Sequence, residues 1–183
     1  MSQAFAATLH KPAEAAADWV FVQLPKAVSD TLPRRGRTTV QGRLNGQAFQ
    51  ATLEPDGQLS HWLRVGASLQ AAAGVRAGDV VQLELEALAQ EPEPEVPADL
   101  QQALQADAAA LEVWKATTTL ARLDWVHWVE SAKQAKTRAK RIGDACQMLA
   151  SGKKRVCCFD PSGFYSKALS LPRAAPEAAA EAV

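Results

Sequence analysis

The stretch "QEPEPEVPADL", Gln90 to Leu100, divides the sequence into two parts with different hydrophobic periodicities. It holds three prolines within six residues, alternating with glutamates. Such a run fits neither a helix interior nor a central strand, so we predict an extended linker over residues 91–98. Before the linker, apolar residues recur at every second position; beyond it, they recur at every third or fourth position.

The part before the linker has the alternation of half-buried strands in six segments. They are "FAATL", "WVFVQL", "TTVQGRL", "AFQATL", "SHWLRV" and "VVQLELEAL". Asn45-Gly46 predicts a hairpin, "EPDGQ" predicts a second tight turn, and "ASLQAAAG" predicts a short helix ended by Gly74. Because closure removes exposed sheet edges, we predict a small antiparallel β-barrel with six strands over residues 1–90.

The part beyond the linker predicts a helical region over residues 99–170, so the fold class is α+β. Asp99 and Asp107 are placed to cap the first two helices. A continuous apolar stripe predicts one long helix from near Thr119 to Gly152. The stripe consists of Trp125, Trp128, Val129, Ala132, Ala135, Ala139, Ile142, Cys146 and Leu149. Residues 171–183 hold nothing large to bury, and we predict a disordered tail there.

The composition excludes several classes of protein. Hydrophobic residues make up 48% and charged residues 22% of the chain, which is typical of a globular protein rather than a disordered or fibrous one. No apolar run approaches the roughly 18 residues of a transmembrane helix, and the first residues lack the pattern of a secretory signal. Three cysteines, an odd number with two adjacent, suit a reducing compartment. We therefore expect a cytoplasmic protein with free thiols.

Both parts resemble known bacterial families. "WVFVQLP", "GRLNGQAFQATLEPDG" and "AGDVVQLELE" are similar to a small domain of unknown function, DUF1905. "VPADLQQAL" and "WVHWVESAKQAKTRAKRIGDACQMLASGKKR" resemble the bacteriocin-protection, YdeI or OmpD-associated family. The resemblance implies a barrel followed by helices and an association with tolerance of envelope or peptide stress. It implies no catalytic residue.

Positive charge is concentrated in one segment, although the formal net charge is zero. From Lys133 to Arg155 there are eight bases and one acid, Asp144. We predict that Arg138 pairs with an acid of the barrel and that the other seven form a basic face able to bind nucleic acid, anionic lipid headgroups or an anionic protein. The predicted face is Lys133, Lys136, Lys140, Arg141, Lys153, Lys154 and Arg155. The alternative is an ordinary solvated helix surface.

The cysteines raise a second hypothesis. Cys157 and Cys158 follow three cations that favour a thiolate, and His61 or His127 is a candidate base for nucleophilic catalysis. Against this, adjacent cysteines of an extended segment point in different directions. A zinc site built from Cys146, Cys157, Cys158 and His127 has suitable ligand types, but the sequence lacks a CxxC pair. We therefore expect no catalytic residue, no metal and no cofactor.

A ligand pocket is the third hypothesis. Alternation sends His61 to one face of its strand and Trp62 to the other, while Trp125 and Trp128 lie at helical spacing. These four side chains are the candidate pocket residues. The alternative is that His61 is a satisfied buried polar group and that the tryptophans are core or interface residues.

These observations favour a non-enzymatic binding or adaptor protein that contacts an anionic partner through the basic face. By resemblance, its context is stress or antimicrobial-peptide tolerance in the bacterial cytoplasm. One alternative is a small-ligand-binding protein or thiol-dependent enzyme that uses the barrel and Cys157/Cys158. Another is that the helices cap the barrel and the partner is a protein. The sequence leaves the oligomeric state open.

Overall fold

The six alternating segments all form strands in the computed structural model, which describes residues 1–176. The strands are β1 (Gln3–Thr8), β2 (Val20–Gln23), β3 (Thr38–Leu44), β4 (Gln47–Pro55), β5 (His61–Val65) and β6 (Val80–Ala87). All neighbours are antiparallel, in the order β1-β6-β3-β4-β5-β2. His10 and Phe21 exchange backbone hydrogen bonds of 2.8 and 2.9 Å, which link the two ends of the sheet. The predicted barrel is therefore confirmed as a nearly closed sheet.

Turn residues set the strand register. Asn45 and Gly46 have φ values of 46° and 86°, which matches the two-residue hairpin turn predicted between β3 and β4. Two short helices lie between strands: α1 (Lys26–Ser29) between β2 and β3, and α2 (Ala67–Ala73) between β5 and β6. Gly74 ends α2 in the left-handed conformation, as predicted. The inward residues of the alternating strands form one apolar core that includes Val22, Leu44, Leu63 and Leu83.

Four helices follow the linker. They are α3 (Ala98–Ala106), α4 (Ala108–Ala116), α5 (Thr119–Glu130) and α6 (Ala135–Ala150). Together with the strands they confirm the α+β class. Asp107 caps α4 as predicted, because its carboxylate accepts a hydrogen bond of 3.0 Å from the Ala110 backbone N–H. Asp99 is not a cap, since α3 begins at Ala98 after Pro97, and the prediction for this residue is wrong.

The long helix predicted from Thr119 to Gly152 is wrong, because residues 131–134 separate α5 from α6. At this break the Ser131 hydroxyl donates to the Trp128 carbonyl (3.0 Å), and Gln134 is extended, with φ −120° and ψ 142°. The Arg141 guanidinium, from α6, donates to the same carbonyl and to the Ser131 hydroxyl. These side chains satisfy backbone and hydroxyl groups at the end of α5, so the break is stabilised without a glycine or proline.

The break changes which residues of the predicted stripe are buried. Ala135 and Ala139 are exposed, although the stripe placed them inside. Trp125, Ile142 and Leu149 are buried in one cluster with residues of α3 and α4. The core of this region is therefore built by four short helices, whose apolar faces converge, rather than by one long helix.

The linker is held in place although it has no regular secondary structure. Glu93 accepts hydrogen bonds from both Nε (2.8 Å) and Nη2 (2.6 Å) of Arg122 in α5. These bonds hold the pKa of the Glu93 carboxyl below its usual value. Arg122 also donates to the Thr117 carbonyl between α4 and α5. The Pro/Glu segment is therefore docked on the helices that follow it.

The described residues divide into two compact units, Met1–Leu88 with the segment from Ser170, and Ala89–Leu169. Residues 171–176 differ from the predicted disordered tail. Ala13 N–H donates to the Arg173 carbonyl and Ala175 N–H donates to the Lys11 carbonyl, each at 2.8 Å. The rest of the predicted tail, residues 177–183, lies outside the described residues. Among residues 1–176, no helix has the length and apolarity needed to cross a membrane.

Candidate functional site

The seven cations of the predicted basic face lie at the two ends of α6. Lys133 precedes the helix, and Lys136, Lys140 and Arg141 lie in its first two turns. We call these four the N-terminal cluster. Lys153, Lys154 and Arg155 follow the end of the helix and form the C-terminal cluster. A helix of 16 residues is about 24 Å long, so Lys133 and Lys136 lie roughly that far from the C-terminal cluster along the helix axis, and Lys140 and Arg141 lie closer to it.

Two members of the N-terminal cluster have partners within the protein. Lys140 Nζ forms an exposed ion pair of 2.6 Å with Asp144 Oδ2, one helical turn away. Arg141 donates to the Trp128 carbonyl and lies 5.5 Å from the centre of the Trp128 ring. Lys133 and Lys136 are exposed and form no ion pair with any residue in the range 1–176. These two lysines therefore carry most of the available charge at this end of the helix.

The C-terminal cluster has a fixed backbone and exposed side chains. Gly152 has a φ of 88°, and the N–H groups of Gly152 and Lys153 donate to the carbonyls of Leu149 (2.8 Å) and Met148 (3.0 Å). This is the hydrogen-bond pattern of a Schellman motif, which ends the helix and sets the direction of the following residues. The Trp125 indole N–H, from the core, points at the Lys154 carbonyl at 3.4 Å. The cluster is thus anchored through its backbone.

No acid neutralises the C-terminal cluster among the described residues. Lys153, Lys154 and Arg155 are all exposed, and none forms an ion pair within residues 1–176. Positive side chains after a helix end also stabilise the negative end of the helix dipole, which is the structural alternative for these residues. Three adjacent cations without an acid nevertheless leave a positive patch open to an anionic partner.

The other cations of the segment are engaged in structure. Arg138 forms two hydrogen bonds with Asp99, at 2.6 and 2.9 Å, which link α6 to α3. The prediction that Arg138 pairs with an acid of the barrel is therefore wrong. The same bonds lower the pKa of the Asp99 carboxyl. No local pattern of residues predicts this pair, because its members are 39 residues apart.

His61 is a buried structural residue. Its ring is 0% exposed, with Nδ1 at 2.7 Å from the Ser29 hydroxyl and Nε2 at 3.0 Å from the Gly36 carbonyl. Burial lowers the pKa of the imidazole below its usual value, because a charged ring is poorly solvated there. The geometry matches the alternative of a satisfied polar group. It leaves His61 without a surface on which to hold a ligand.

We expect the stability of the barrel unit to fall as the pH drops below about 6.5, the ordinary pKa of histidine. The folded-state pKa is lower than the unfolded one, so the unfolded chain binds the proton first. The free energy of unfolding is highest above the pKa that His61 has in the unfolded chain. Below that pH it declines by at most about 1.4 kcal/mol per pH unit for one proton. Urea unfolding of the wild type and of His61→Gln between pH 5 and 7.5 measures this. Equal pH slopes for the two proteins would contradict the assignment.

The three tryptophans proposed for a pocket are parts of packed clusters. Trp62 is half-buried and stacks on Trp19, with ring centres 6.0 Å apart. Trp125 is 0% exposed and meets the edge of Trp128 at 6.1 Å. Trp128 is half-buried beneath the Arg141 guanidinium. Trp125 and His61 are fully enclosed, and the assignment of the four side chains to a pocket stays a prediction.

The cysteines differ from their predicted arrangement. Cys157 and Cys158 form a turn in which their sulfurs are 3.2 Å apart, so the expectation that they point in different directions is wrong. The proposed bases are enclosed, since His61 is 0% and His127 2% exposed. Neither can reach an exposed thiol as a general base without rearrangement. Within residues 1–176, no group of three or more His, Cys, Asp or Glu side chains could hold a metal ion.

Comparison with known proteins identifies family matches for both units. Residues 5–85 match the family model described as a domain of unknown function, DUF1905. Residues 93–152 match the family model described as bacteriocin-protection, YdeI or OmpD-associated. Both resemblances predicted from the sequence are confirmed. None of the curated proteins compared with the chain is significantly similar to it.

Proposed function

We propose that this chain, whose helical unit matches the bacteriocin-protection, YdeI or OmpD-associated family over residues 93–152, is a non-enzymatic binding protein for an extended anionic partner. The C-terminal cluster and the two available lysines of the N-terminal cluster form the contact surface. The observation that carries the proposal is the exposure of Lys153, Lys154 and Arg155 without an acid partner among the described residues.

The separation of the available cations supports an extended partner. The distance of about 24 Å between the two available lysines and the C-terminal cluster exceeds the screening length of roughly 8 Å at physiological ionic strength, so each group attracts anions independently. A small anion would engage one cluster only. A polymer or surface with regularly spaced negative charges engages both, and its affinity is then the product of two linked contacts. The geometry therefore favours nucleic acid or an anionic lipid surface over a small molecule.

The family match supplies the biological context of the proposal. The family description associates such proteins with bacteriocin protection, and we place the anionic contact in tolerance of antimicrobial peptides or envelope stress. We place the protein in the bacterial cytoplasm, in keeping with its three free cysteines. Binding as an adaptor requires neither a cofactor nor a catalytic residue.

The salt dependence of binding tests the proposal. We expect retention on duplex DNA, or on vesicles that contain phosphatidylglycerol, at low ionic strength. On DNA the affinity falls with a log-log slope of about 0.9 for each phosphate neutralised. Replacing Lys153, Lys154 and Arg155 together by glutamine should reduce that slope by about 2 to 3. Fluorescence anisotropy with labelled DNA and vesicle sedimentation are the measurements.

A matched control removes the same charge elsewhere. Lys11, Arg76 and Lys115 are also exposed, and none forms an ion pair within the described range. Their replacement by glutamine should leave the slope on DNA unchanged. An equal reduction of the slope in the two triple variants would show that net charge, rather than this surface, causes binding. Absence of retention on both probes at low ionic strength would overturn the proposal.

A further inference from the structure

The adjacent thiols lie on a turn whose neighbours fix it to the protein. Val156, on one side, packs against the core of the helical unit. Phe159, on the other side, meets the buried His127 ring edge to face, with centres 5.2 Å apart. Because both flanking side chains point inward, the turn directs Cys157 and Cys158 outward. Both cysteines are exposed.

The loop that follows is also rigidly held. The Asp160 carboxylate accepts hydrogen bonds from the backbone N–H groups of Ser162 (3.1 Å), Tyr165 (2.8 Å) and Ser166 (3.1 Å), and from the Ser162 hydroxyl (2.6 Å). Four donors on one carboxylate close the loop on itself. The turn at Cys157-Cys158 therefore lies between a packed valine and a closed loop, which restrain it from both sides.

The turn brings the two sulfurs together. Cys158 has a φ of 60°, a left-handed conformation that is uncommon for a residue other than glycine. In an extended segment, neighbouring side chains point to opposite sides, which separates their sulfurs. Here the two Sγ atoms are 3.2 Å apart and share a hydrogen bond. Little further movement is needed to join them.

We propose that Cys157 and Cys158 form a modification site that is oxidised to a disulfide between adjacent residues by exchange with a small-molecule disulfide such as oxidised glutathione. The partner is anionic at neutral pH. The adjacent C-terminal cluster of cations attracts it. This inference is independent of the proposed anionic polymer.

The exchange proceeds in two balanced steps. The thiolate of one cysteine of the pair attacks one sulfur of the glutathione disulfide, that S–S bond breaks, and one glutathione leaves as a thiolate. The thiolate of the other cysteine then attacks the cysteine sulfur that carries glutathione and displaces the second glutathione. The two cysteine protons pass to the two leaving thiolates. The cysteine pair is oxidised, and one glutathione disulfide is reduced to two glutathione molecules.

The shared hydrogen bond also affects the ionisation of the pair. That bond with Cys157 raises the pKa of the Cys158 thiol above its usual value, and the charge of Lys153 opposes the change. Either thiol can donate the bond, so the first attack can begin from either sulfur.

The resulting bond is easily reversed. Cα atoms across a trans peptide are about 3.8 Å apart, below the usual range of about 4.4 to 6.8 Å for bridged cysteines. A disulfide at this separation is strained, and strained exposed disulfides are the more readily reduced ones. The site therefore suits reversible modification rather than permanent structural crosslinking.

Intact-mass spectrometry tests the site in the full chain with Cys146→Ser, which leaves only the pair. With millimolar oxidised glutathione, we expect the protein to lose two hydrogen atoms and to retain no glutathione. Adding Cys157→Ser or Cys158→Ser leaves a lone thiol, which should retain one glutathione because no second thiol is present to displace it. Retention of glutathione on both cysteines of the pair, or disulfide-linked dimers, would overturn the proposal.

Unfolding the protein shows whether disulfide formation depends on the folded turn or only on the two cysteines being neighbours in the sequence. In concentrated urea the turn is lost, and we expect formation of the Cys157–Cys158 disulfide, which closes a ring, to slow by about tenfold compared with the native protein. Proteolysis without reductant then locates the bond within one peptide. Ring formation that is equally fast in urea would show that the turn at Cys158 contributes nothing, which also contradicts the inference.

Discussion

Replacing Trp125 by alanine is expected to lower the free energy of unfolding of the helical unit by about 3 to 5 kcal/mol. The side chain is 0% exposed and lies in the cluster formed by α3 to α6. Its removal leaves a cavity that the surrounding helices fill only in part, so both transfer free energy and packing contacts are lost. Urea unfolding followed by far-ultraviolet circular dichroism measures the change.

Trp128→Ala is the matched control for this prediction. The two rings are in contact, at 6.1 Å, but Trp128 is only half-buried. Trp128→Ala should therefore lower the free energy of unfolding clearly less than Trp125→Ala does. A larger cost for Trp128→Ala, or a cost below about 1 kcal/mol for Trp125→Ala, would contradict the packing described here.

Trp125 also connects the core to the candidate site. Its indole N–H points at the Lys154 carbonyl, within the C-terminal cluster. Trp125→Ala should therefore increase the hydrogen exchange of the backbone amides from Lys153 to Arg155 beyond the increase caused by Trp128→Ala. The comparison shows whether the exposed cations depend on this core residue for their position.

Replacing Gly42 by alanine is expected to destabilise the barrel unit by about 3 kcal/mol or more. A Cβ atom at this position would lie 2.1 Å from the Glu84 carbonyl oxygen and 3.0 Å from Leu85 Cδ2. Gly42 of β3 faces Leu85 of β6 in the ladder, so the obstructing oxygen belongs to a paired backbone. It can move only if the strand moves, which weakens neighbouring ladder hydrogen bonds.

Gly66→Ala is the control in the same unit. A Cβ atom there meets nothing within 4 Å, and the φ of −72° is ordinary for alanine. We expect the free energy of unfolding of Gly66→Ala to lie within about 1 kcal/mol of the wild-type value. Thermal and urea unfolding of both variants provide the measurement. Similar stabilities for the two variants would show that β3 and β6 approach each other less closely than the structure indicates.

The strands were predictable because their signals are local. Alternation and the Asn45-Gly46 turn each involve consecutive residues: alternation buries one face of a strand, and the turn needs residues that accept a positive φ. The break between α5 and α6 was not predictable from the apolar stripe, since the spacing of three and four continues across it. The contacts that stabilise the break come from Arg141, ten residues beyond Ser131. Such contacts depend on the arrangement of the helices.

In the candidate site, too, some features had a local signal in the sequence and others had none. Exposure of Lys153, Lys154 and Arg155 agrees with the prediction, because a cation-rich segment after Gly152 has no apolar residue to bury. The pairing of Lys140 with Asp144 had a signal, since residues four apart are neighbours on a helix. The approach of the two sulfurs had none. It requires a left-handed φ at Cys158, which the residue type disfavours.

The backbone bonds of Arg173 and Ala175 with Lys11 and Ala13 have a consequence for dissecting the protein. The unit that contains the strands is discontinuous in sequence, and the helices are an insertion within it. A fragment that stops near residue 90 would lack the last strand-like partner and leave backbone donors and acceptors at Lys11 to Ala13 open to self-association. Supplying residues 170–176 as a separate peptide should restore its solubility.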